Sequence, residues 1–138
     1  MNDYNDKFWH IQMHMPEGRD GAEIDPRDLL TLSQPVIGIG EWEDKQCEDF
    51  KNIPIGSIVL VRKGRQAIAL CKITSDPYIS EELEDKFIHI NYRNVDVLGF
   101  ISDEDQPSTH LFSQGTFKCC NNWTNQWSYI NELLKHLK

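Results

Sequence analysis

The sequence lacks a long hydrophobic run. Nowhere do its 138 residues reach the stretch of about 18 consecutive apolar residues that a membrane-spanning helix needs. The first ten residues, MNDYNDKFWH, have neither the basic start nor the apolar centre of a secretory signal peptide. We therefore expect a cytoplasmic protein. The length favours one compact domain over residues 1–138, because a chain of this size can bury a core but is short for two domains.

Cysteine is sparse, and its spacing excludes the common zinc motifs. The four cysteines form no CxxC pair, and two adjacent cysteines do not easily serve one tetrahedral zinc ion together. They are Cys47, Cys71, Cys119 and Cys120. We expect reduced, partly buried thiols and no bound metal.

Signatures of catalysis are also missing. The five histidines form no HExxH motif, and the sequence has neither GxSxG nor the phosphate-binding GxxxxGK[ST]. The segment GIGEWE lacks the third glycine of a dinucleotide-binding loop, and the carboxylates run together in clusters, as on a solvated surface. We expect a protein without catalytic activity of its own and without a cofactor.

Positive charge is in short supply. Lysine and arginine number 14 against 22 acidic residues, which gives a net charge of -8. This balance argues against a protein that coats nucleic acid, because nonspecific affinity comes from counterions that lysine and arginine release. The exception is the predicted hairpin tip VRKGRQ at 61–66. There Arg62, Lys63 and Arg65 would contact phosphate, with Arg93 as a fourth candidate.

Hydrophobic periodicity predicts a mixed fold. In residues 8–15 the alternation places Trp9 on a buried face and His10 and His14 on a wet face. Predicted strands lie at 8–15, 35–42, the two arms of a hairpin over 57–75, and 86–100; predicted helices lie near 25–33, 43–53 and 123–137, and 103–120 is expected to be a loop and a short turn. We expect an α+β fold, a small, curved, mostly antiparallel β-barrel with peripheral helices and a C-terminal amphipathic helix.

One aromatic residue stands in unusual surroundings. Trp42 lies between two glutamates, just after Gly38 and Gly40, whose spacing leaves one face of the predicted strand bare. Either two backbones cross closely here, or a flat ligand approaches the strand with Trp42 as one wall. Tyr78 in the turn SDPY and His14 at a strand end would converge on the same barrel rim.

The order of four segments resembles a known family. They read FWHIQMHMP, IGIGEWED, IPIGSIVLVRKGRQAIALCKITSDPY and FIHINYRNVDVL. This order is similar to the EVE-like and YTH-like branch of the PUA superfamily, and within it to the amino-terminal domains of McrB-type modification-dependent restriction proteins. The resemblance implies a barrel whose rim holds a flipped-out modified base, such as methylated cytosine or adenine, in an aromatic pocket.

The resemblance also implies a set of base-binding residues. Trp42 matches one pocket wall, and His14 falls where related domains place a polar residue that reads a base edge. The opposite wall would be Tyr78 or Phe87, although no second tryptophan occupies that region. With the glycines, the predicted base-binding residues are His14, Gly38, Gly40, Trp42, Tyr78 and Phe87.

The implied partner is modified DNA, and a separate motor or nuclease subunit would belong to a restriction system. The domain would be the specificity module of such a system or a stand-alone relative. Two other functions stay open. One is an acidic protein-interaction domain anchored by Trp42, and the other is an RNA-binding domain of the PUA or ASCH-like type.

Overall fold

The computed structural model describes residues 8–13, 25–40, 45–87, 89–107, 111, 117–120 and 124–137. Within these residues the strands are β1 (Phe8–Gln12), β2 (Val36–Ile39), β3 (Ile58–Lys63), β4 (Gln66–Ile73), β5 (Tyr78–Ile79), β6 (Asn91–Phe100) and β7 (Phe117–Cys120). The helices are α1 (Pro26–Leu30), α2 (Lys45–Asn52), α3 (Glu81–Phe87) and α4 (Asn125–His136), with a 3-10 turn at Asp103–Asp105. No helix in this described part combines the length and apolar character that a membrane crossing requires.

The strands form one mixed sheet that curls toward a barrel. Their order is β2-β6-β4-β3-β1-β7, and β5 pairs with β6. The pair β1 and β3 is parallel, and the other pairs are antiparallel. Although β1 and β2 are far apart in this order, the sulfur of Met13 lies 3.3 Å from the backbone nitrogen of Gly38. The curl therefore brings the end of β1 to the edge strand β2.

Both faces of the sheet are covered. The inner face holds the larger core, in which Trp9 stacks on Phe117 with ring centroids 5.0 Å apart. The outer face packs Leu60 and Leu70 against Ile130 of α4. The predicted amphipathic C-terminal helix is thus confirmed, because its apolar side closes a second core.

The prediction that His10 faces solvent from the first strand is wrong. This residue is fully buried, and its Nδ1 accepts a hydrogen bond of 3.1 Å from Nε of Arg62. Burial, and then the charges of Arg62 and Lys118, lower the pKa of His10 to about 3. The alternation of the strand is real, but the second face is covered by protein instead of water.

Local signals account for the elements that the sequence predicts correctly. At α1 the side chain of Asp25 accepts from the backbone N–H of Arg27, and Pro26 occupies the first helical turn. At the turn between β3 and β4, Gly64 has a φ of 60°, a conformation that favours glycine. Both elements depend on residues close in sequence.

The largest differences from the prediction are a helix and a strand. Residues 81–87 form α3, where the hydroxyl of Ser80 accepts from the backbone N–H of Leu83, so the predicted strand 86–100 starts only at Asn91. Five of the six residues in the run EELEDK are good helix formers, and this preference prevails over the short alternation that follows. In the predicted loop, residues 117–120 form β7 because they pair with β1. The sequence of four residues alone does not predict this pairing.

Candidate functional site

A cluster of buried polar and aromatic groups lies where β1 and β2 end and β6 begins. Gly38 is opposite Tyr92 in the β2–β6 pair. A Cβ atom on Gly38 would lie 2.8 Å from Cε1 of Tyr92 and 2.9 Å from Cβ of His89. The bare face of this strand is therefore filled by two side chains of the protein. Of the two explanations for Gly38, the geometry supports close packing between strands. The prediction that a flat ligand approaches the strand at Gly38 is wrong.

His89 presents a buried nitrogen to this cluster. Its side chain is 7% exposed, and Nε2 has no hydrogen-bond partner among the described residues. Burial lowers the pKa of His89 to about 4, and a hydrogen bond to the backbone of Met13 acts in the opposite direction. The ring is therefore neutral at neutral pH.

Tyr92 places a hydroxyl in the same cluster. The residue is 0% exposed, and within the described part of the chain its hydroxyl has no hydrogen-bond partner. The ring lies 6.3 Å from that of Tyr78 at 31°, and 6.4 Å from that of His89 at 77°, edge to face. Burial, with the negative charge of Glu84, raises the pKa of Tyr92. The hydroxyl is therefore neutral and available as a donor.

The end of β2 is fixed by its last carbonyl. The carbonyl of half-buried Gly40 accepts from Nδ2 of Asn91 at 3.3 Å and from the thiol of Cys47 at 3.6 Å. The chain passes from here toward Trp42. Gly40 thus belongs to the cluster through its backbone, and its carbonyl is occupied by protein donors.

Two predicted base-binding residues, His14 and Trp42, lie outside the described residues. Their described neighbours along the chain are Met13 and Gly40. Met13 contacts both Gly38 and His89, and Gly40 contacts Asn91 at the start of β6. Both neighbours are therefore parts of the cluster.

The two candidates for the opposite wall have different surroundings. Tyr78 is half-buried beside Tyr92, and its hydroxyl donates a 2.6 Å hydrogen bond to Oδ1 of Asn94. Phe87 is buried in the main core, with the ammonium of Lys86 5.5 Å from the ring centroid. Of the two, Tyr78 is the residue that keeps an accessible part next to the cluster.

The predicted phosphate contact of Arg93 is wrong. The side chain is 1% exposed. Its Nε and Nη2 donate to the carbonyl of Ser75 at 3.0 and 2.9 Å, and its Nη1 donates to the carbonyls of Phe50 and Ile53. These bonds join β6 to α2, to the residue that follows α2 and to the segment after β4, so Arg93 stabilises the fold.

Fewer basic side chains of the predicted hairpin tip are available to phosphate than expected. Arg62 is buried and donates 2.7 Å from Nη1 to the carbonyl of Gly64. Lys63 forms an ion pair of 2.9 Å with Asp25 at the start of α1. Arg65, in the turn itself, is exposed. The phosphate-facing role of Arg62 is therefore wrong, while Arg65 remains well placed and Lys63 is shared with an acidic residue.

The cysteines are thiols, as predicted. None of the four forms a disulfide, and three of them are buried. Burial raises the pKa of Cys71 to about 12, which leaves it protonated at neutral pH. The described residues contain no group of three or more histidine, cysteine or acidic side chains arranged to hold a metal ion.

Sequence reasoning missed His89 and Tyr92 as site residues. The available signal was the polar His89 inside the apolar run FIHINY. A buried histidine needs a partner, and none is apparent from the neighbouring sequence. The position of the ring beside Met13 and Gly38 depends on the curl of the sheet, which local sequence does not encode.

No protein-family model and no curated protein matches the sequence. Comparison of structures finds a likeness to human THYN1 protein, in its crystal structure in complex with DNA containing 5-methylcytosine. The alignment covers 96% of this chain and 98% of the THYN1 chain, with 12% sequence identity and a TM-score of 0.55. The two chains therefore share one fold. The likeness confirms the predicted α+β architecture, a curled sheet with peripheral helices.

Proposed function

We propose that the protein binds a modified nucleobase, methylated cytosine or adenine, flipped out of DNA, and has no catalytic activity of its own. The observation that carries the proposal is a buried pair of polar atoms, Nε2 of His89 and the hydroxyl of Tyr92, without partners among the described residues. An unpaired buried polar group costs about 1–3 kcal/mol, so a ligand that pairs with it gains that energy. The pair lies at the strand end that leads to Trp42.

The fold supports the same function. THYN1, whose fold this chain shares along nearly its whole length, was crystallised with DNA containing 5-methylcytosine. A flipped base costs a few kcal/mol to extrude from the duplex. Stacking on an aromatic ring such as Trp42 returns roughly 1–3 kcal/mol. Hydrogen bonds to the base edge supply the remainder and the choice of base.

The wider role we propose is a specificity module of a modification-dependent restriction system, or a stand-alone relative of one. In the first case a separate motor or nuclease subunit would act after this domain has recognised the base. This role is supported by the resemblance of the segments IGIGEWED and SDPY to McrB-type amino-terminal domains.

The second candidate is an acidic protein-interaction domain anchored by Trp42. It is favoured by the net charge of -8 and by the burial of Arg62 and Arg93. The two functions differ in their response to salt. DNA binding weakens steeply as salt rises, because phosphate contacts release counterions, whereas an anchored aromatic contact changes little.

Substitution of Trp42 tests the proposed pocket. We expect Trp42→Ala to weaken binding to a duplex with one 5-methylcytosine by about ten- to a hundredfold, through loss of stacking, while thermal melting stays unchanged. Binding is measured by fluorescence anisotropy and melting by circular dichroism on the same preparation. Arg65→Met is the matched surface control, which should weaken binding to methylated and plain duplexes equally. A large fall in melting temperature with Trp42→Ala would assign Trp42 to the core and contradict the pocket.

A further inference from the structure

We propose that a cavity on the outer face of the sheet binds an aliphatic carboxylate, whose chain enters the cavity and whose charge pairs with Lys72. The cavity has a volume of about 330 Å³ and lies between the sheet and the C-terminal end of α4. It is lined by Gly56, Ile58, Lys72, Leu98, Leu134 and Leu137. Small-ligand sites in proteins have volumes of about 300–1,000 Å³, so the cavity is large enough for a short aliphatic chain.

The walls of the cavity are the incompletely covered margin of the second core. Ile58, Leu98 and Leu134 are half-buried, and they pack against the buried residues of that core, such as Leu60 and Leu70. Each of the three keeps apolar surface in contact with water. An aliphatic chain in the cavity would remove this surface from water, which is the favourable term of apolar binding.

Lys72 gives the cavity its charge. The other lining residues are aliphatic or glycine. Lys72 is exposed and lies between Ile58 of β3 and Asp96 of β6 in the sheet register. Although Asp96 is directly opposite, Lys72 forms no ion pair with it or with another described residue. The stem of a lysine can follow an apolar wall while its ammonium group stays at the opening, where an anion can reach it.

This combination selects the class of ligand. The ammonium group repels a cation, and a ligand with only polar groups would leave the aliphatic walls exposed to water. A carboxylate at the end of an aliphatic chain matches both parts of the site. The net charge of -8 repels anions from the protein as a whole, so an anion that binds here depends on the local charge of Lys72.

Contacts at both ends hold the walls in place. In the turn before β3, the backbone N–H of Gly56 donates 2.7 Å to the carbonyl of Ile73 at the end of β4. At the other end, Leu137 packs so closely on β6 that a Cβ atom on Gly99 would lie 2.7 Å from its side chain. The candidate cluster packs elsewhere, since Tyr92 belongs to the larger inner core. Binding in the cavity is therefore independent of the proposed recognition of DNA.

Octanoate and octanol are suitable probes, because they have the same chain length and differ in charge. We expect octanoate to bind saturably with a Kd of about 1 mM or tighter, measured by isothermal titration calorimetry. Nuclear magnetic resonance locates the site. The methyl signals of Leu98, Leu134 and Leu137 should shift with octanoate, whereas those of Ile37 and Ile39 in the inner core should not.

Lys72→Met keeps the length of the side chain and removes its charge. We expect it to weaken octanoate binding about three- to tenfold and to change octanol binding less than about twofold, because the alcohol has no charge to pair. Lys118→Met, at an exposed position of β7 outside the cavity, is the matched control and should leave both affinities unchanged. Leu134→Trp fills the cavity with a larger ring and should weaken both probes about tenfold or more.

Several results would overturn the site. One is octanoate binding that does not saturate, or that shifts none of the methyl groups of the cavity. Another is a Lys72→Met variant that binds octanoate as tightly as the wild type, since the charge would then not anchor the ligand. Light scattering tests a different occupant: a ligand-free dimer that Leu134→Trp converts to a monomer would show that a second copy of the chain fills the cavity. If Leu134→Trp lowers the melting temperature, the comparison of Lys72→Met with Lys118→Met decides.

Discussion

At the scale of residues, two buried histidines make the stability of the fold depend on acid. Burial lowers the pKa of His10 to about 3 and that of His89 to about 4, from an ordinary value of 6.5. Below about pH 6.5 these two histidines bind protons in the unfolded chain but stay neutral in the folded chain. The contribution of these histidines to the free energy of unfolding should therefore be at its maximum above pH 6.5. Between pH 6.5 and 4 the free energy of unfolding should fall by up to about 1.4 kcal/mol per pH unit for each histidine.

Urea unfolding at pH 7.5, 6.0, 5.0 and 4.5 would measure this loss. His89→Gln should remove about half of the slope, since one of the two buried histidines no longer titrates. His136→Gln, at the exposed end of α4, is the matched control for a histidine-to-glutamine change outside the buried positions. A flat profile for the wild type over this range would show that the buried histidines accept protons without unfolding.

Single residues also show which structural roles the local sequence does not predict. Arg65 and Arg93 look equivalent in the sequence, each an arginine close to a polar turn or strand, yet one is exposed and the other donates to three backbone carbonyls. An arginine becomes structural when distant segments present carbonyls to it. Those segments meet only in the folded chain, so the phosphate role assigned to Arg93 had no local signal against it.

At the scale of elements, Gly38 controls how closely β2 and β6 approach. We expect Gly38→Ala to lower the free energy of unfolding by about 1–3 kcal/mol, because the new Cβ would lie 2.8 Å from the Tyr92 ring and 2.9 Å from Cβ of His89. The same change at Gly99 meets the side chain of Leu137, with its two methyl carbons at 2.7 and 3.1 Å and its Cγ at 3.3 Å. A side-chain end near the end of α4 can turn away, so Gly99→Ala should cost less.

Urea unfolding of the two alanine variants side by side checks this difference. Equal losses of stability, or a greater loss at Gly99, would contradict the tight β2–β6 crossing. The Gly38 variant should also bind methylated DNA more weakly than the Gly99 variant, because the buried pair of His89 and Tyr92 in the proposed site would be displaced.

Elements with local determinants were predictable, and those without were not. The hairpin tip carries its own signal in Gly64, and α1 carries one in Asp25 followed by Pro26. By contrast, β7 exists because Phe117 stacks on Trp9 and pairs with β1, far away in sequence. The candidate site belongs to the second kind, since its members come from the ends of three strands.

At the scale of the whole molecule, charge and fold argue in opposite directions about the proposed DNA binding. The fold is shared with THYN1, which was crystallised with DNA containing 5-methylcytosine, whereas the net charge of -8 repels phosphate. The shared fold and the negative charge are compatible if most of the affinity comes from the base pocket. Binding to plain duplex should then be weak, and the gain from a single modified base should be large.

The most direct test of this central claim is the dissociation constant for one duplex with and without a single 5-methylcytosine, measured at equal salt. We expect at least about tenfold tighter binding to the methylated duplex, because the 5-methyl group adds apolar contact in the pocket that plain cytosine does not make. Because an N6-methyladenine duplex would satisfy the same pocket, it is measured alongside. Equal affinity for the plain duplex and for both methylated duplexes would contradict the account.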